Sequence, residues 1–450
     1  MDEVTNTNPI LTGPRWPVFV RYALPSVAGL LALTTANIVD GVFIGQFAGA
    51  DALAALNLLI PYFTLLFGLA LMLAIGGTVR AGRYLGEGNT AAASAIFSKC
   101  LVATLAISLS ATLLCLVFHE TVYRALGASP ELFPLMSEYF LVIIWVMVIQ
   151  LASMVLYYFV RVDGHPPLAT SALMTGAFAN IALDALLVGV LDYGLTGAAF
   201  ATGIAQVFQL LMLFRYWRTP SRRLQFRIRQ SNWGEVRQAA ANGVSEWINE
   251  VSVGLVLLLI NWLMMASHGV AGVAAFTVIN YLIFLSLMLF YGISDAMHVL
   301  ISHNLGAGNA RRVREFMVCG STVIVGLSLT LLVALWLSGA NLINLFLHDS
   351  AAAQRALAIE FLSVLWPLFL INGLNVLLSV YLTAMHQPLP SAVVALSRSL
   401  ILPAALLILL AYFAPDLPML LALPLAEWLT FALAMTLFIH YRPHRLIPAS

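Results

Sequence analysis

Charge is what this sequence has least of. Only 9% of its 450 residues are Asp, Glu, Lys or Arg, against about a quarter in soluble domains, while 61% are hydrophobic and the mean hydropathy is +0.95. That deficit excludes a water-soluble globular protein. With 21 basic against 20 acidic side chains the net charge is +1, so no basic field exists for nucleic acid to meet, and no nucleic-acid partner is expected. Cysteine is scarce too. Cys100, Cys115 and Cys319 are odd in number and sit in apolar runs, which argues against a disulfide framework and makes them small core hydrophobes. The first 16 residues carry neither the apolar core nor the cleavage site of a signal peptide, so the first apolar run is expected to stay in the protein. No Ser-His-Asp set at one depth is present in the apolar runs, and neither a metal centre, a catalytic residue nor an enzyme is expected.

What is there is length and apolar periodicity. The chain has room for about a dozen membrane helices at about 20 residues each. Apolar runs punctuated by Gly, Pro, Asn and charge fall near 18–48, 52–79, 91–118, 133–161, 167–191 and 194–217, then 241–266, 270–301, 313–338, 356–385, 391–413 and 417–440. An all-α polytopic membrane protein of twelve helices is expected, in contact with the lipid bilayer. Arg15, Arg21, Arg83, Lys99, Arg161, Arg311, Arg312, Arg314, Arg442 and Arg445 fall on one side of this plan, with the seven arginines of 215–237, Arg229 among them; the other side holds only Arg124 and Arg355. The positive-inside rule then puts both termini in the cytoplasm. Three regions follow: a lobe over 1–217, a basic cytoplasmic linker over 218–240, and a lobe over 241–450.

The two lobes are repeats. Leu85-Gly86-Glu87-Gly88-Asn89 recurs as Leu305-Gly306-Ala307-Gly308-Asn309, and the same offset aligns Gly49 with Gly269 and Leu69 with Leu289. Slipping one residue pairs Trp145 with Trp366, His165 with His386 and Pro167 with Pro388. Six spans per half bring both halves into the membrane from the same side, related by an axis along its normal. The LGxGN runs lack the lysine of a phosphate-binding loop and are expected to be tight turns.

Function should lie in polar groups that the bilayer makes costly, about 2.5 to 3.5 kcal/mol for a charge at a helix centre. Six ionisable candidates lie inside spans: Asp40, Asp184, Glu250, Asp295, Arg398 and Glu427. By helical rise Asp40, Asp184 and Thr202 each lie about 10–12 Å from the outer face, and Asn180 sits one turn before Asp184 on the same helix face. Two carboxylates in a low-dielectric pocket cannot both be ionised cheaply, so the pair suits a proton or a small cation, with Asn180 and Thr202 supplying neutral donors and acceptors. The alternative is a static polar knot holding three helices together. Pro25 and Gly29 below Asp40, and Gly41 and Gly45 above it, are the usual causes of a bendable helix.

Taken together, Asn37-Ile38-Val39-Asp40-Gly41-Val42-Phe43-Ile44-Gly45, the two LGxGN turns, Asn180 with Asp184, and Thr202 resemble the multidrug and toxic compound extrusion (MATE) transporters, most closely the DinF-like and MepA-like branch. The resemblance implies a bacterial inner-membrane protein with its two lobes around a V-shaped cavity. It implies export of cationic or amphipathic organic compounds by antiport, in exchange for protons or, alternatively, sodium. It also implies a cation-coupling site at Asp40, Asn180, Asp184 and Thr202, and helix bending at Pro25. No cofactor beyond the coupling ion is expected, and a monomer is.

The second lobe departs from that pattern. Glu250 matches the helix 7 glutamate of the NorM-like branch, but the helix 10 acid of that branch is Asn372 here, and Ile260, Ile401 and Ala405 stand at the repeat positions of Asp40, Asn180 and Asp184. Coupling is therefore placed in the first lobe and protons are favoured. Glu250, Tyr157, Tyr281 and Asn372 are the candidates to meet substrate, Asp295 and Arg398 are expected to pair, and Glu427 has no evident partner. A lipid-linked saccharide flippase of related architecture is the rival reading; it predicts a cationic cavity, for which only Arg398 is available.

Overall fold

The apolar runs fold as helices, and among the described residues nothing folds as a strand. The structure is a computed structural model and describes residues 8–48, 50–228, 233–346, 352–414 and 416–447; Gly49 and Arg229 lie outside the described residues. In chain order the spans are α1 (Arg15–Ala48), α2 (Ala50–Gly86), α3 (Thr90–Ala125), α4 (Phe133–Val162), α5 (Pro166–Val190) and α6 (Gly194–Phe214). Next comes a 73-residue helical stretch, Gly234–Gly306, broken at Gly269, where φ is 61° and ψ −154°. A straight helix of that length would run about 110 Å, more than three times the hydrocarbon thickness. The break is a reversal. Ile260 and Phe276, and further out Val253 and Tyr291, line one cavity, which requires 234–268 (α7) and 270–306 (α8) to lie side by side. After them come α9 (Ala310–Phe346), α10 (Ala352–Leu365 bent by 56° into Leu368–Ala384), α11 (Pro388–Phe413) and α12 (Ala422–His440). Ten described helices are long and apolar enough to cross a membrane, and the bent pair makes an eleventh span. With Gly234–Gly306 taken as two crossings, the expected twelve are accounted for.

The repeated LGxGN runs are tight turns for a definable reason. Gly88 and Gly308 hold φ of 78° and 69°, a left-handed conformation that side chains resist, and Asn89 and Asn309 then cap the next helix by accepting from Ala92 N (3.0 Å) and Arg312 N (3.1 Å). A second matched turn corrects the repeat register. His165 N bonds Val160 O (3.2 Å) as Gln387 N bonds Leu382 O (2.9 Å), with Gly164 and His386 the positive-φ residues and Pro166 and Pro388 opening the next helices. The turn thus pairs Gly164 with His386, one residue beyond the register expected from sequence. Asn180 and Asp184 now correspond to Leu402 and Leu406, still with no polar twin.

The chain divides into two compact units, Leu24–Trp247 and Met1–Ala23 with Ile248–Ser450. The boundary falls inside α1, beside Pro25, whose missing N–H leaves the helix without one backbone hydrogen bond. In the second unit Arg312 donates to Ile10 O (3.1 Å) and Gly13 O (2.8 Å), fastening the N-terminal segment to the start of α9. In the first, α2 and the beginning of α7 touch backbone to backbone: a Cβ on Gly76 would overlap the Ala239 carbonyl, and one on Gly243 that of Met72. The described part of the basic linker is strapped down rather than loose. Asp163, buried at the end of α4, accepts from Tyr216 Oη (2.5 Å), Arg223 N (2.8 Å) and Arg223 Nε (3.0 Å), and Ser94 and Ser98 of α3 accept from Gln225 N (3.0 Å) and Arg227 N (2.7 Å).

Candidate functional site

Asp40 and Asp184 occupy parallel local settings. Asp40 lies one turn before a π-helical turn, Ile44–Ala48, that ends α1, and Asp184 directly precedes another, Ala185–Val190, that ends α5. Such wide turns re-aim neighbouring side chains and gather at functional sites. α1 runs along α5: Gly29 faces Leu173, and a Cβ on Gly189 would stand 3.2 Å from the Phe43 ring. Asp184 is fully buried, and both its oxygens, with Oδ1 of Asp40, are buried without a hydrogen-bond partner among the described residues. No basic side chain pairs with either acid among those residues. The two carboxyls lie within electrostatic range of one another and of the buried Tyr139 hydroxyl on α4.

Asn180 and Thr202 are also brought together, by a hydrogen bond from Asn180 Nδ2 to Thr202 Oγ1 (3.5 Å) that links α5 to α6. It joins them to each other, and no hydrogen bond connects that pair to either aspartate. Tyr139 is the residue that sequence reasoning missed. Its place six residues into α4 puts it about 9 Å from the start of that helix, so the depth argument that selected Asp40, Asp184 and Thr202 could have found it.

The residues expected to meet substrate have different local settings. Tyr157, in Leu24–Trp247, is buried beneath the Arg161 guanidinium, 5.2 Å from ring centroid to Arg161 Cζ. Tyr281 is 48% exposed on α8, and Glu250 is half-buried on α7. Asn372 joins a polar cluster and lines a cavity.

That cluster corrects two expectations. Arg398 pairs with Glu427 (Nε to Oε1, 3.2 Å) and not with Asp295, which instead lies 3.7 Å from His298 one turn along α8. A π-helical turn, Ser397–Ile401, carries Arg398, and α12 presents Glu427 to it from the side. Depth counted along each helix put Arg398 and Asp295 at one level, but level says nothing about which faces meet. Asn372 Oδ1 accepts from Arg398 Nη2 (2.7 Å), and Asn375 Nδ2 donates to Glu427 Oε2 (2.6 Å).

Comparison with known proteins fits this architecture. Residues 25–186 and 249–409 match the family model MatE. The multidrug export protein MepA of Staphylococcus aureus (strain MRSA252) is 24% identical over 402 residues, spanning 89% of this chain and 88% of its own. Among solved structures, a MATE protein in complex with MaL6 is similar with a TM-score of 0.90 at 20% identity, over 97% of this chain and 98% of that one. A MOP superfamily transporter from Pyrococcus furiosus Vc1 (DSM3638), in which reverse polarity of the binding pocket suggests a different function, has a TM-score of 0.89 at 20% identity over 100% of both chains. These likenesses to solved structures show the fold.

Proposed function

The chain belongs to the MatE family, multi-pass membrane transporters and not enzymes, and from that premise we propose that it exports cationic or amphipathic organic compounds in exchange for protons by alternating access. The observation that carries this reading is the pair of intramembrane acids, Asp40 and Asp184, without a basic partner or, for three of their four oxygens, any hydrogen bond among the described residues. A bare carboxylate in that setting costs several kcal/mol, so its charge is tolerable only when a proton or cation accompanies it. A group that must gain and lose a proton to be stable in both arrangements of a transporter couples the two movements. Asn180 and Thr202, linked to one another, hold α5 and α6 at the same level and are the remaining members of the proposed site. The likeness to the MepA multidrug export proteins supports the substrate class.

Sodium at Asp40, Asn180, Asp184 and Thr202 is the rival coupling ion. The test is export from everted vesicles carrying a pH dye, with organic cations added. Compound-triggered proton release that persists without sodium supports proton antiport. Release that appears only with sodium would transfer the site to that ion, and silence across cationic, neutral and lipidic compounds would overturn the reading. The orientation is part of the proposal: the protein is taken as a monomer in a bacterial inner membrane with both termini cytoplasmic. A cysteine at Ser221 should then be labelled only from the cytoplasm and one at Asp416 in intact cells, and the reverse pattern would invert it.

A further inference from the structure

The cavity in the Ile248–Ser450 unit includes neither coupling acid in its lining and has its own chemistry. It encloses about 160 Å³ between α7, α8, α10, α11 and α12. Its walls are apolar, with Val256, Ile260, Phe276, Ile283, Leu368 and Leu423 among them, and its polar end is formed by Arg398, Glu427, Asn372, Tyr291, Asn280 and Ser399. An apolar wall with a few convergent polar groups is the usual make-up of a small-molecule site.

What that polar end still has to offer can be counted. A guanidinium carries five N–H donors. Three are engaged, Nε to Glu427 Oε1 (3.2 Å), Nη1 to Tyr291 Oη (3.4 Å) and Nη2 to Asn372 Oδ1 (2.7 Å), and two are left over. Both oxygens of Glu427 are already accepting, one from Arg398 and the other from Asn375, and Ser399 spends its hydroxyl proton on Ala395 O (2.6 Å). Asn372 turns its carbonyl to Arg398, which leaves its amide N–H2 as a donor. The polar end thus keeps two open N–H donors on a permanent cation, beside acceptor lone pairs on Glu427 and Ser399, and that cation is fixed in place by an ion pair that is itself more than nine-tenths buried.

We propose that this cavity binds the carboxylate head of amphipathic organic acids, with Arg398 and Asn372 as donors and the apolar walls holding the body of the molecule. The Glu427 carboxylate does not repel such a ligand as a free anion would, because Arg398 and Asn375 screen it and orient the guanidinium. An organic cation is repelled by the guanidinium and would have to share the Glu427 carboxylate with it. The proposal goes beyond cation export, concerns the other unit, and does not depend on which ion drives transport.

The test is equilibrium dialysis of the full chain in nanodiscs, with lipid-only nanodiscs subtracted, against three probes that share one aromatic body: 1-naphthaleneacetate, 1-naphthaleneacetamide and 1-naphthylmethylammonium. The acetate should bind saturably and about tenfold or more tighter than the ammonium, as a charge-assisted hydrogen bond to a buried guanidinium requires. Asn372→Asp is nearly isosteric and gives Arg398 a second carboxylate, so it should fold normally and lose acetate binding by about tenfold or more while barely changing amide binding. The double variant Arg398→Met/Glu427→Gln, which leaves no unpaired charge, should bind acetate and amide equally. Asp40→Asn protein should bind the acetate like the parent, which separates this site from the coupling site. Equal binding of the three probes by the parent, or undiminished acetate binding by Asn372→Asp, would overturn the proposal.

Discussion

In Leu24–Trp247 the intramembrane acids Asp40 and Asp184 meet no basic side chain among the described residues, whereas in the other unit Glu427 lies 3.2 Å from Arg398, with amides of Asn372 and Asn375 completing the cluster. The two units share turns, caps and helix order, yet one keeps its charge open and the other closes it with an ion pair. Repeat symmetry constrains the backbone and leaves the charges free. Leu402 and Leu406 stand where the first unit has Asn180 and Asp184, and Gly176 stands where the second has Arg398. Open acids can respond to a proton, and a closed pair cannot do so without first breaking.

The largest effect that would break this comparison is on stability. Arg398→Met alone strands the buried Glu427 charge and should cost about 3–5 kcal/mol, whereas adding Glu427→Gln should recover most of it. Thermal unfolding in one detergent measures both; a double variant no more stable than Arg398→Met would show that the pair does more than cancel charge. Asp184→Asn should behave oppositely, with stability unchanged within about 1 kcal/mol or slightly raised, since no partner is left behind. A large loss there would reveal a partner for Asp184 and turn the open site into a structural knot. The shared features should respond alike: Asn89→Ala and Asn309→Ala each remove an equivalent cap and should each cost about 1 kcal/mol.

A further outcome concerns energetics. One proton exchanged for one monovalent cation moves no net charge, so only the pH gradient drives it. If Asp40 and Asp184 each release a proton per cycle, one net charge crosses, and about 150 mV adds about 3.5 kcal/mol, more than the roughly 2.7 kcal/mol of a 100-fold gradient. Export of a monovalent cation from proteoliposomes should then accelerate when a potential is imposed at constant pH gradient. Export indifferent to potential would mean one proton per cycle.

Much of this was legible in the sequence because the bilayer simplifies the problem. Apolar run length set the spans, and the LGxGN repeat marked two halves with matching turns and caps. What helical rise cannot supply is the rotation of each helix, and errors concentrated there. Arg398 was matched to Asp295 by depth and in fact faces Glu427 on α12. The register past the first turn slipped by one residue because His165 and His386 look equivalent as letters, while the backbone makes Gly164 and His386 equivalent in conformation. The strap from Arg223 to Asp163 was invisible since a basic loop reads only as charge until its partner on α4 is known. Tyr139 was hidden among the aromatics of an apolar helix.

The central claim is that Asp40 and Asp184 carry the coupling proton. It is tested most directly by reconstituting Asp40→Asn and Asp184→Asn proteins at matched density in proteoliposomes and measuring export of an organic cation driven by an imposed pH gradient. Asn keeps size and hydrogen bonding but cannot titrate, so both variants should insert and bind normally yet lose gradient-driven export, falling to the level of protein-free liposomes. Export by either variant at the parent rate would contradict the account.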